Sequence, residues 1–161
     1  MFSGAEIGSL LSTQGFTHVV TIPDSTIGQW EQGIERAGIK LVRVCREGEA
    51  WTVAGGLHLG GATPLVMIQC TGLFESGDAL RNMVHDWRLP NYSMIGYRSY
   101  LNQDNLPGDT CLVFTEPILA AWKLDVCFVK RPDQLAEIGQ HMRACRDGAR
   151  AGVALIAEGR S

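Results

Sequence analysis

The stretch "KLVRVCREGEAWTVAGGLHLGGATPLVMIQC", residues 40 to 70, begins and ends in short β-branched runs and holds a helix-length segment between them. "KLVRVC" (40–45) and "PLVMIQC" (64–70) have strand length, whereas 47–60 is too long and too rich in small residues for a strand. Strand, helix, strand predicts two parallel strands joined by a right-handed crossover. The same alternation extends outward. "HVVTIP" (18–23), "YSMIGY" (92–97), "DVCFV" (125–129) and "GVALIA" (152–157) read as further strands, and helices are expected near 4–14, 26–37, 75–87, 115–123 and 133–147. The predicted fold is a single α/β domain over 1–161, a doubly wound, mostly parallel six-stranded sheet with helices on both faces. Gly15, Gly38 and Gly148 are expected C-terminal caps, and Asp24 or Ser25 and Thr115 expected N-caps. The longest loop, "RSYLNQDNLPGD" (98–109), is expected to be functional or mobile.

Composition narrows the function. With 45% hydrophobic and 19% charged residues the chain is a folded protein and not a disordered or coiled-coil one. Its net charge of -3 supplies no global attraction to nucleic acid or an anionic membrane. Five widely spaced cysteines without a C-x-x-C pair argue against a disulfide framework or zinc ribbon and suit a reducing compartment. The N-terminal residues lack a basic segment followed by an apolar run, and the uncharged stretch from Ala50 to Phe74 is broken by glycines and Pro64. A cytoplasmic protein without a membrane span is expected.

In an open parallel sheet, ligands gather at the carboxyl ends of the strands. Three segments there attract attention: "PDST" (23–26), "REGEA" (46–50) and "CTGLFES" (70–76). Glu47 and Glu49 open a helix, where the dipole alone favours acids by about 0.3–1 kcal/mol. Beyond them the helix has no charged face, so it is buried all round or packs against another chain. Its glycines cost about 1 kcal/mol each relative to alanine, which implies a close approach to the backbone. On helical spacing the two carboxylates lie on different stripes, so one can face a ligand while the other faces a neighbour. A carboxyl group in apolar surroundings has a raised pKa and can exchange a proton near neutrality.

"CREGEAWTVAGGLHLGG" and "QCTGLFESGDALRN" resemble the pyrimidine-binding domain of thiamine diphosphate (TPP) enzymes, nearest the sulfopyruvate and phosphonopyruvate decarboxylases, whose sulfopyruvate branch uses separate alpha and beta subunits. In that family an acid opens this helix and a glycine follows nine positions later, the spacing of Glu47 and Gly56. The resemblance implies that Glu47 is the catalytic acid that hydrogen-bonds and activates the cofactor's aminopyrimidine, with Thr71, Gly72 and Leu73 beside the ring. It implies substrate contacts from Pro23, Asp24, Ser25 and Arg98, the last as the cation for an anionic 2-oxo acid. The family's G-D-G motif with later asparagines is missing: "GDA" (77–79) and "GDT" (108–110) lack the continuation. The expected partner is therefore a beta subunit that carries the diphosphate and Mg²⁺ site, shares the TPP and packs on the uncharged helix as part of a hetero-oligomer. This chain is expected to hold no metal.

The residues leave alternatives. Pro23, Asp24 and Ser25 also fit a turn with a helix cap, and Arg98 an exposed loop residue. Phe74, Glu75 and Asp78 stand where the family has small or amide residues, which keeps open a non-catalytic or regulatory subunit. G-x-G-x-x-G, G-x-x-x-x-G-K-[ST] and G-x-S-x-G are all absent, which disfavours a nucleotide-binding module and a hydrolase. His58, His85 and Cys70 read as structural, and 133–150 as an ordinary surface helix.

Overall fold

The structure, a computed structural model, describes residues 2–25, 27–106 and 108–159. Six strands, β1 (His18–Thr21), β2 (Lys40–Arg43), β3 (Pro64–Gln69), β4 (Tyr92–Tyr97), β5 (Asp125–Val129) and β6 (Gly152–Ala157), form one sheet in the order β2-β1-β3-β4-β6-β5. Every neighbouring pair is parallel. β4 and β6 are buried throughout and β3 nearly so, which is why they read as unbroken apolar runs. Edge strand β2 keeps exposed ends, which explains the charged Lys40 and Arg43.

The described residues form six α-helices, α1 (Gly4–Thr13), α2 (Glu31–Arg36), α3 (Glu47–Leu59), α4 (Cys70–Arg81), α5 (Thr110–Ala121) and α6 (Leu135–Asp147). Alternate strand residues divide the core in two. Val19, Leu65, Met94 and Ile156 pack with Ile7 and Leu11 of α1, Ile34 of α2 and Met142 of α6. Val20, Val66, Ile95 and Leu155 pack with Trp51 of α3, Leu80 of α4 and Leu119 of α5. Helices thus cover both faces, as the alternation of elements predicts. None of the described helices is long and apolar enough to cross a membrane.

Helix boundaries differ from expectation in three places. α4 starts at Cys70, straight out of β3, instead of at 75, so the whole of "CTGLFES" (70–76) is helical. Gly72 lies in the first turn of this helix, where its carbonyl accepts from the Ser76 hydroxyl. α5 starts at Thr110 and not at 115: Asp109 is its cap, accepting from the Cys111 N–H at 3.0 Å, and Thr115 lies buried inside the helix, donating to the Cys111 carbonyl. The helix expected at 26–37 is a 3-10 turn over Ile27–Trp30 followed by α2; Thr26, in the "PDST" segment, lies outside the described residues.

The 98–109 segment contains a 3-10 helix at Tyr100–Asn105. Tyr100 packs edge-on against Phe128 at 4.9 Å and against Tyr97 at 5.0 Å, and the Leu101 N–H donates to the Glu158 carbonyl. Pro107 of that segment lies outside the described residues.

α1 and α2 touch backbone to backbone. A Cβ on Gly33 would overlap the Gly4 carbonyl and come within 2.7 Å of the Ala5 nitrogen. Gly33→Ala is therefore expected to lower stability by about 1–3 kcal/mol through overpacking. Gly28→Ala, with open space around its Cβ, should leave stability within about 1 kcal/mol of the parent. Urea denaturation of the two variants checks the contrast.

Candidate active site at the carboxyl edge of the sheet

The strand order reverses between β1 and β3, so the segments after these strands flank the crevice where ligands collect in such sheets. α3 starts at this edge, and its two acids have separate tasks. Glu49 turns back on the chain: its carboxylate accepts from the N–H groups of Cys45 at 2.9 Å and Arg46 at 3.3 Å, closing the entry to the helix. The Glu47 side chain lies instead on Gly72, in the first turn of α4. A Cβ on Gly72 would overlap Glu47 Cγ and sit 2.8 Å from its Oε1. Glu47 is half-buried, and among the described residues its carboxylate has no hydrogen-bonding partner.

Two clamps hold α4 in this position. Buried Trp51 donates its indole N–H to Ser76 at 2.9 Å, and Ser76 donates to the Gly72 carbonyl at 2.6 Å. Glu75 accepts from the Gly48 N–H at 2.7 Å and from the Arg46 guanidinium at 2.6 Å. The Gly48 bond, and then the Arg46 contact, hold the Glu75 carboxyl below its ordinary range. Phe74 packs against the core beside α3, and Asp78 pairs with Arg81 at 2.8 Å. The residues that depart from the resembled family therefore brace the helices.

Glu75→Ala should cost about 1 kcal/mol, the usual value of a helix-cap bond, since the exposed Arg46 ion pair adds little. A depressed carboxyl pKa stabilises above the unfolded value and loses that effect as pH falls through the folded one. The gap between parent and variant should therefore close in acid, as urea titrations at pH 7 and pH 3 can show.

The remaining expected residues are placed as follows. Thr71 is exposed, Gly72 buried, and the Leu73 side chain is wholly within the core, so Leu73 can meet a ligand only through its backbone. Pro23 and Ser25 are exposed at the rim after β1. Asp24 accepts from the Ile27 N–H at 2.9 Å, the capping role expected for it. Arg98, just after β4, lies 3.6 Å from Asp109, whose carboxyl is held below its ordinary range chiefly by the Ser99 hydroxyl at 2.6 Å. That carboxylate offsets part of the Arg98 charge.

The sequence reading missed Glu158. It follows β6 at the same edge, is only 7% exposed, and its Oε1 lacks a partner among the described residues. Gly96 on β4 makes its place, because a Cβ there would overlap Oε1 and lie 2.9 Å from Oε2. Burial, reinforced by the charge of Asp24, pushes its pKa up to about 7. A carboxyl group that carries its proton near neutrality can act as donor or acceptor. The acid after a strand is visible in sequence, but the glycine on another strand that buries it is not readable as its companion.

The α3 surface turned away from the core carries Thr52, Gly56, Leu59 and Gly60, all exposed and uncharged, with Leu59 62% exposed. Gly56 faces open space. One face of α3 is thus buried, and the other, beyond Glu49, is uncharged and bare.

No family model matches the sequence, and no curated protein matches it. Solved structures do match in shape. A 2-oxoglutarate:ferredoxin oxidoreductase from Magnetococcus marinus, with 2-oxoglutarate, coenzyme A and succinyl-CoA bound, superposes with a TM-score of 0.72 at 13% identity over 98% of this chain and 29% of that one. A benzoylformate decarboxylase from Polynucleobacter necessarius gives 0.71 at 20% identity over 98% of this chain and 30% of that one. The chain thus spans under a third of the length of these two proteins, and what it shares with them is the fold of its whole six-stranded sheet.

Proposed function

We propose that this chain is the pyrimidine-binding alpha subunit of a TPP-dependent 2-oxo acid decarboxylase, completed by a beta subunit that holds the diphosphate and Mg²⁺. The observation that carries this reading is the Glu47 carboxylate, seated over Gly72 at the ligand edge of the sheet and without a hydrogen-bonding partner among the described residues. Glu49, its neighbour, is consumed by the backbone. The fold is shared with two enzymes named for 2-oxo acids, 2-oxoglutarate and benzoylformate, which supports the substrate class.

The residues suit the cofactor. Glu47 would hold the aminopyrimidine through a ring nitrogen, and the first-turn N–H groups of α4, Thr71 and Gly72 among them, lack intrahelical acceptors and can line the ring. When bound, TPP supplies a carbanion-stabilising centre. Toward that ring nitrogen Glu47 would give up or take a proton at its carboxylate, and a partner packed on the bare face of α3 would exclude water. Glu158 offers a second proton at the rim, beside Asp24. Pro23 and Ser25 border the same opening. For a sulfonate or phosphonate substrate, Arg98 turns from Asp109 to the anion.

The test is to purify the chain with whatever polypeptide assembles on it and supply TPP, Mg²⁺ and a panel of 2-oxo acids. Carbon dioxide released only by the assembled pair supports the proposal. Assembly without turnover, with cofactor binding indifferent to Glu47→Gln, would assign the chain to a non-catalytic subunit.

A further inference from the structure

At the opposite, amino edge of the sheet three side chains converge that no part of the proposed chemistry uses: Asp125 at the start of β5, and His141 and Cys145 one turn apart on α6. His141 Nε2 lies 3.2 Å from Asp125 Oδ1 and 3.6 Å from Cys145 Sγ, and Sγ lies 3.9 Å from Asp125 Oδ2. In a tetrahedral zinc site, metal–ligand bonds of about 2.0–2.3 Å put N and O about 3.3 Å apart and S about 3.5 Å from either, so the two distances from Nε2 match and the Sγ–carboxylate distance shortens on loading. From this correspondence we infer that Asp125, His141 and Cys145 form a binding site for Zn²⁺, with water as the fourth ligand.

The surroundings are those a metal site requires. A ligating histidine needs its other ring nitrogen oriented, and the Tyr92 hydroxyl stands 2.7 Å from His141 Nδ1. A ligating carboxylate is itself hydrogen-bonded, and Arg150 donates to Asp125 Oδ2 at 2.8 Å, leaving Oδ1 toward His141. Space for the sulfur is reserved by Gly152, where a Cβ would overlap Sγ and lie 2.9 Å from the Tyr92 ring. The Asp125 side chain is 39% exposed and that of His141 15%, so an ion reaches them from solvent. Thiolate and imidazole together select zinc over magnesium or calcium.

Without metal, burial and then the Asp125 charge push the Cys145 thiol up to about 11, opposed by Arg150, so the sulfur is not a ready nucleophile. On loading, Sγ, Nε2 and a carboxylate oxygen displace all but one of the waters of the hydrated ion, and its coordination number falls to four. The thiol proton goes to solvent, and the imidazole proton resides on Nδ1, where the Tyr92 oxygen accepts it. No electron is transferred. The ion joins α6 to β5 at the far edge of the sheet from Glu47.

The test is titration of the reduced full chain with Co²⁺ alone, followed by Zn²⁺ alone. One Co²⁺ per chain is expected, with a thiolate-to-cobalt charge-transfer band and the visible bands of tetrahedral cobalt, all removed by one equivalent of Zn²⁺. Cys145→Ser should abolish the charge-transfer band and His141→Ala should weaken binding at least about 100-fold, while Tyr92→Phe weakens it about 10-fold. Cys45→Ser, which removes the exposed thiol, should change nothing. Absence of the band in the parent chain, a band that survives Cys145→Ser, affinity indifferent to His141→Ala, or loss of the band in Cys45→Ser would each overturn the assignment.

Discussion

Glu47→Gln is expected to lower turnover of the assembled enzyme by about 10²- to 10⁴-fold, the range of a lost general acid–base group. The amide keeps the shape of the side chain over Gly72 and can still hydrogen-bond, but it cannot give up or take a proton. No bond within the described protein is lost, because the carboxylate makes none, so the melting temperature should stay within about 2 °C of the parent. Glu49→Gln is the matched control. It weakens the bonds from the Cys45 and Arg46 N–H groups and should cost about 0.5–1 kcal/mol of stability while most turnover remains. Turnover and thermal unfolding measured on both variants decide between the acids: an active Glu47→Gln or an inactive, stable Glu49→Gln would exchange their assigned roles.

Glu158→Gln should make the chain more stable at pH 8 and leave it unchanged at pH 4. Below about pH 4.5 the Glu158 side chain is protonated in both folded and unfolded chains and contributes no difference. As pH rises, the unfolded chain releases this proton first, while the folded chain retains it up to about pH 7. Stability is therefore lost progressively between these values, and the displacement from 4.5 to about 7 corresponds to about 3 kcal/mol. Glutamine does not titrate and avoids the loss. Urea unfolding at the two pH values measures it, and equal stabilities at pH 8 would show that the carboxyl finds compensation in solution. Where the assembled enzyme uses the Glu158 proton, the more stable variant should be the slower one.

What could be read from the chain beforehand depended on how local its cause was. The strands were legible because β3, β4 and β6 are buried on both faces and each prints its burial as an apolar run. The start of α4 was not, because Gly72 has turn character on its own and becomes helical only where Trp51 and Ser76 hold it. Thr115 has the chemistry of a cap, but Asp109 reaches the Cys111 N–H first. The acidic pair at 47 and 49 was visible, and helical spacing put its two carboxylates on different stripes, but the choice of Glu47 rested on the resemblance and not on the spacing. Glu158 and the Asp125, His141, Cys145 group depend on glycines at 96 and 152 that clear room from other positions in the chain. Short-range patterns carry no trace of such pairings.

The detour of the chain from β4 out to β5 and back has a consequence for biosynthesis. β6, the sixth strand to leave the ribosome, is the one that must slide between two strands already made. Until it does, β4 and β5 each present an unpaired, apolar border of the kind that seeds aggregation. A nascent chain halted before Gly152 should be a substrate for chaperones or proteases and not a shortened working protein.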